Sequence, residues 1–70
     1  EKEVKRITIE TVRESVKELP DKLAVCLDLY FFYDMSYTEI CDVTEMPMNT
    51  VKSNIFRAKK LLKEKLSERL

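Results

Sequence analysis

The sequence predicts an all-α fold, a small domain of four helices, and three observations carry that prediction. Its 70 residues include no glycine, which disfavours sheets joined by tight hairpins and loops that cradle phosphate. Apolar residues recur at helical spacing in successive windows. Two prolines and a Ser-x-x-Glu tetrad divide those windows, each placed where a helix would begin. A chain this short supports one core, and no linker, repeat or low-complexity stretch divides it, so residues 1–70 read as a single domain.

The first helix is expected over about residues 8–18, from the spacing of Ile9, Val12, Val16 and Leu19. The alternation Ile7-Thr-Ile9 blurs its start. Pro20 ends it, and proline is well placed in the first turn of the helix that follows. That second helix, about 21–33, is apolar on two sides. Leu23, Cys26, Leu27, Tyr30 and Phe31 form one face, while Val25, Leu29, Phe32 and Tyr33 form a stripe about 170° away. So small a domain struggles to wrap a helix completely, and the second stripe therefore reads as a protein-docking surface.

Ser36-Tyr-Thr-Glu39 is a capping box that opens a short third helix, about 37–44, with Tyr37 (in part), Ile40, Cys41 and Val43 facing inward. After Thr44-Glu45-Met46, Pro47 opens a long fourth helix, about 47–67. On a wheel of 100° per residue, Val51, Ile55, Ala58, Leu62 and Leu66 form its inner stripe. Asn49, Lys52, Ser53, Phe56, Lys60 and Lys63 fall opposite, with Arg57 on the shoulder. A phenylalanine amid lysines and hydroxyls suits a DNA groove. The lysines answer phosphates, the short polar groups answer base edges, and the ring answers a thymine methyl or a sugar.

A short helix, a turn of about three residues and a longer basic helix make a helix-turn-helix, the second helix of which enters the major groove. Cys41 supplies the small residue at the corner, Met46 the apolar residue in the turn, and Val51 the β-branched anchor. Charge agrees. The net is zero, yet residues 1–51 hold 6 basic and 11 acidic groups, whereas residues 52–70 hold 7 basic and 2 acidic. A basic end on an otherwise acidic chain points to nucleic acid.

Other classes are excluded or set behind. No apolar run approaches the ~18–20 residues of a membrane span, and no signal-peptide pattern is read in the chain's first residues, so neither a span nor a secretory signal is expected. With no histidine and no metal spacing of Cys26 and Cys41, neither a metal site, a cofactor nor an enzyme is expected. Both cysteines read as small buried thiols of a cytoplasmic protein.

Leu19-Pro-Asp-Lys-Leu23, Ser36-Tyr-Thr-Glu-Ile40, Met46-Pro-Met-Asn-Thr-Val-Lys-Ser53 and Arg57-Ala-Lys-Lys-Leu61, in this order, resemble region 4 of bacterial sigma factors of the extracytoplasmic-function type. The match runs from about Leu19 to Leu66. The resemblance implies recognition of the −35 promoter element by the fourth helix during transcription initiation. It also implies contact of the N-terminal half with the β flap of RNA polymerase, and sequestration by an anti-sigma factor. By position it assigns DNA contacts to Thr50, Lys52, Ser53, Phe56 and Arg57; the wheel adds Asn49 and Lys60. It further implies that this chain is a C-terminal domain excised from a longer protein that carries a promoter-melting region upstream.

Four departures stand out. Asp34, Glu45 and Asn49 occupy positions where the family has glycine; aspartate and asparagine tolerate left-handed backbone, but glutamate does so poorly. Asn54 replaces an arginine and is expected to remove a charge from the DNA side. Two alternatives remain: the helix-turn-helix output domain of another regulator, such as a two-component response regulator, and a protein-interaction module of the same fold without a DNA role. The first is disfavoured by Asn54 and Ala58, where those domains carry histidine and isoleucine.

Overall fold

A computed structural model describes residues 8–69, and among them it contains four helices and no strand. They are α1 (Ile9–Lys17), α2 (Asp21–Phe31), α3 (Tyr37–Thr44) and α4 (Met48–Arg69). Ile7 lies outside the described residues. Each boundary falls within about two residues of the sequence expectation, and local chemistry explains each one.

Thr8 caps α1, its Oγ1 accepting the Thr11 amide at 3.2 Å. Pro20 stands one residue outside α2, and its carbonyl accepts the first intrahelical bond, from the Ala24 amide at 2.8 Å. Pro47 does the same for α4, accepting from the Val51 amide at 3.0 Å, so α4 opens one residue later than expected. The capping box is complete: Ser36 Oγ accepts from the Glu39 amide at 3.2 Å, and Glu39 Oε1 accepts from the Ser36 amide at 2.8 Å. Both orphan donors are thereby satisfied reciprocally.

The two connections that reverse the chain without glycine both use positive φ. Asp34 sits at φ 55° between α2 and α3, and Glu45 at φ 62°, ψ 25° between α3 and α4. Asn49, the third position where glycine was the family's residue, lies instead inside the first turn of α4 and has no positive φ. It needs no left-handed tolerance.

The core forms where α4 lies across the other three helices. Val51, Ile55, Ala58 and Leu62 are buried against Val16, Leu19, Cys26, Leu27 and Ile40. Leu66 packs at the margin. Burying each of the larger side chains contributes about 1.5–3 kcal/mol, offset in part by the entropy of ordering the chain. Among the described residues one polar side-chain atom is trapped inside without a hydrogen-bond partner, the fully buried Ser15 Oγ. At the far end Lys65 Nζ meets Glu18 Oε1 at 3.4 Å, a surface pair of small energetic weight.

Several expected placements are corrected. Ile9 is exposed because it opens the first turn of α1, before that helix reaches the core. Phe31, the last residue of α2, is 54% exposed, its ring resting beside those of Tyr30 and Phe32 and outside the buried core. Val43 is 60% exposed. Its place near the interior is taken by Thr44, which is half-buried and donates its hydroxyl to the Ile40 carbonyl at 2.6 Å. Cys26 is fully buried as a thiol, but Cys41 is only half-buried.

Candidate nucleic-acid interface

The inner stripe of α4 fixes which side faces out. With Val51, Ile55, Ala58 and Leu62 locked in the core, Asn49, Thr50, Lys52, Ser53, Phe56, Arg57 and Lys60 are all exposed. Every sequence-predicted DNA residue therefore stands on one accessible surface. Phe56 is 70% exposed, at the centre of that face.

Behind α4 the turn is held by an unusual set of soft contacts. Cys26 Sγ lies 3.7 Å from Met46 Sδ, and Asn54 Nδ2 approaches Met46 Sδ at 3.5 Å and Cys26 Sγ at 3.6 Å. Asn54 thus ties α4 to α2 and to the turn. The expectation that it alters the DNA side is corrected: the amide points inward, toward sulfur, and is half-buried. Met46 fills the corner as expected, and Val51 anchors the second helix at full burial. Thr44 Oγ1 also accepts the Met46 amide at 3.3 Å, closing the three-residue turn from inside.

Beside Phe56 the outward face of α4 dips into a cleft of about 420 Å³ lined by Tyr37, Lys52, Ser53, Ile55, Phe56 and Lys59. Tyr37, the first residue of α3, stacks on Tyr30 of α2, with ring centroids 5.4 Å apart and planes 23° from parallel. Lys59 Nζ lies 5.0 Å from the Tyr30 ring centroid, and Lys52 Nζ 5.9 Å from that of Tyr37. Desolvation first, and then the neighbouring Tyr30 phenol, push the Tyr37 phenol above its ordinary value. Sequence reasoning missed Lys59, Tyr30 and Tyr37 as parts of this surface. The available signal was the spacing of Lys52 and Lys59, seven residues apart on one side of Phe56.

The second apolar stripe of α2 divides. Val25 and Tyr33 are exposed, Tyr33 at 63%, whereas Leu29 and Phe32 are half-buried and pack against the core. The Arg13 guanidinium covers the Phe32 ring at 4.4 Å. Between α1 and α2 runs a shallow groove of about 230 Å³, lined by Arg13, Val16, Lys17, Ala24, Val25 and Asp28. Of the four predicted docking residues, only Val25 borders this groove.

Among the described residues no helix is long and apolar enough to cross a membrane, and no group of three or more histidine, cysteine or acidic side chains converges as a metal site would require.

Comparison with known proteins agrees with the geometry. The family model described as Sigma-70, region 4, matches residues 9–62. The RNA polymerase sigma-H factor of Pseudomonas aeruginosa is 38% identical over 56 residues, which cover 80% of this chain and 29% of the relative. The ECF RNA polymerase sigma-E factor of Haemophilus influenzae is 31% identical over 64 residues, covering 91% and 32% respectively. The RNA polymerase sigma factor SigV of Bacillus subtilis is 35% identical over 57 residues, covering 81% and 34%. The chain spans about a third of the length of these curated relatives.

Proposed function

The chain belongs to the Sigma-70, region 4 family, and from that premise we propose that it binds the −35 promoter element as part of an RNA polymerase sigma factor directing transcription initiation. One observation carries the reading. Phe56, a large apolar ring, is held 70% exposed at the centre of a basic, hydroxyl-bearing face, on a helix anchored by a helix-turn-helix core. Water is a poor environment for that ring, and a thymine methyl or deoxyribose in the major groove is a good one.

The residues divide by role. Lys52, Arg57 and Lys60 answer phosphates or guanine edges, Ser53 a phosphate or base edge, and Asn49 and Thr50 lie at the N-terminal end of α4, which enters the groove first in this motif. The role is recognition, and the α4 face presents no arrangement of nucleophile and base. The outer face of α2, through Val25, Tyr33 and the exposed edges of Leu29 and Phe32, is proposed to dock on the β flap of the polymerase core. An anti-sigma factor would compete for the same apolar surface.

The test uses the full-length protein with core polymerase. Phe56→Ala is expected to lower the preference for the right promoter over a mismatched one by about 1–3 kcal/mol if the ring touches a base. Lys60→Ala should weaken all sequences alike and reduce the slope of log K against log salt by about one. If Phe56→Ala and Lys52→Ala both leave promoter binding unchanged, α4 is not the recognition helix.

A further inference from the structure

We infer that Tyr30 and Tyr37 are positioning residues for DNA binding: their stacked rings hold Lys59 and Lys52 in place, and Lys59 is a further phosphate-binding residue. The inference rests on the DNA-binding reading of α4 and adds to it a pair of aromatic residues from two other helices.

The argument starts from what an exposed lysine does alone. Its ammonium sits on four rotatable carbons, and fixing it on a phosphate loses that freedom at the moment of binding. A surface that restrains the side chain beforehand removes part of that loss. Lys52 and Lys59 are seven residues apart, two turns of one helix, and both lean to the same side of Phe56. Each ammonium rests over a tyrosine ring, Lys59 at 5.0 Å and Lys52 at 5.9 Å, within the range over which a ring face attracts a cation.

The two rings are themselves fixed. They stack on each other at 5.4 Å, one from α2 and one from the capped start of α3, and both pack against the core. Their stack joins α2 to α3, so the lysines of α4 are restrained against the body of the domain and not only along α4. The shared cleft of Tyr37, Lys52, Phe56 and Lys59 faces the surface that the groove would meet. On the opposite shoulder, Lys60 and Arg57 have no ring beneath them among the contacts of the described residues, and serve as the internal comparison.

The geometry is tested first without DNA. In proton NMR of the chain, the ε-methylene resonances of Lys52 and Lys59 should be shifted upfield by ring currents relative to Lys60. Equal shifts for all three lysines overturn the inference whether or not any variant folds. Promoter binding by the full-length protein with core polymerase then tests the consequence. Tyr30→Leu and Tyr37→Leu should each weaken binding roughly two- to fivefold, the effect of an exposed cation–π contact. Phenylalanine, which keeps the ring face, should restore what leucine loses. Adding Tyr37→Leu to Lys52→Ala should cost nothing further, because the ring acts through that lysine. Leucine variants that bind as wild type while Lys52→Ala and Phe56→Ala bind poorly would sink this inference and spare the DNA reading. Loss of effect for Lys52→Ala and Phe56→Ala as well would sink both.

Discussion

Glu45 and Ser15 show how single residues in this chain sit against local preference. Glu45 holds a left-handed backbone at φ 62°, and a Cβ there costs roughly 1–2 kcal/mol. Glycine would remove that cost while losing about 0.5–1 kcal/mol through backbone entropy. Glu45→Gly should therefore raise the thermal midpoint by a few degrees, since one kcal/mol corresponds to about 4–8 °C in a domain of this size. Asp34 shares the conformation, but aspartate tolerates it better, so Asp34→Gly should gain less. A lower midpoint for Glu45→Gly in a circular-dichroism melt would refute the strain argument. The glutamate was legible as an odd substitution in the sequence; the matching strain is the structural finding. Ser15 was not legible, because a serine in a helix ordinarily faces water. Its hydroxyl is fully buried and unpartnered, a state that costs about 1–3 kcal/mol. Ser15→Ala should leave stability unchanged or raise it, and a clear drop in denaturant midpoint would mean that the hydroxyl has a partner.

At the level of elements, the helices were legible because their punctuation is local. Pro20, Ser36 with Glu39, and Pro47 each act within four residues of where they stand, and each falls at a helix start; the Thr8 cap of α1, where the sequence left the start blurred, is a structural finding. Ser36 illustrates the energetic weight. An isolated helix of eight residues is not stable in water, so α3 depends on its cap and its packing. Ser36→Ala should cost about 1 kcal/mol and lower the midpoint by about 4–8 °C, whereas Ser36→Asp keeps an acceptor and most of the stability. An unchanged midpoint for Ser36→Ala would show that the box contributes nothing. What failed was tertiary. Asn54 lies only about 60° from Val51 on the wheel, close to the inner stripe, yet its polarity and the family's arginine placed it outside. Val43 was taken as inward although Thr44 lies nearer the direction of Ile40 and Tyr37. The Tyr30–Tyr37 stack joins two helices, and no periodicity within one helix announces it.

Across the whole molecule the two proposed surfaces share only α2, which lends Tyr30 to the DNA side and Val25 to the docking side. The DNA face and its cleft belong to α3 and α4, while the groove beside Val25 belongs to α1 and α2; the two share no lining residue. The core between them is continuous, so α4 is fixed by the same packing that presents α2 outward. Charge sets α4 apart from the other three helices, with the basic excess in residues 52–70 and the acidic excess before them, α3 included. Such an arrangement predicts separable functions. Val25 is exposed, and Val25→Lys should change stability by no more than about 0.5 kcal/mol. Leu29 is less suitable, because it packs against the core and a charge there would strike the fold itself. In the full-length protein, Val25→Lys should weaken assembly with core polymerase and leave promoter preference within the assembled complex unchanged. Phe56→Ala should do the reverse. Because the two sites share no partners, the free-energy changes of the double variant should add to within about 0.3–0.5 kcal/mol. Assembly and promoter binding measured separately for the two single variants and the double variant decide the matter. Loss of promoter preference in Val25→Lys, or strong coupling between the two changes, would mean that the surfaces are one.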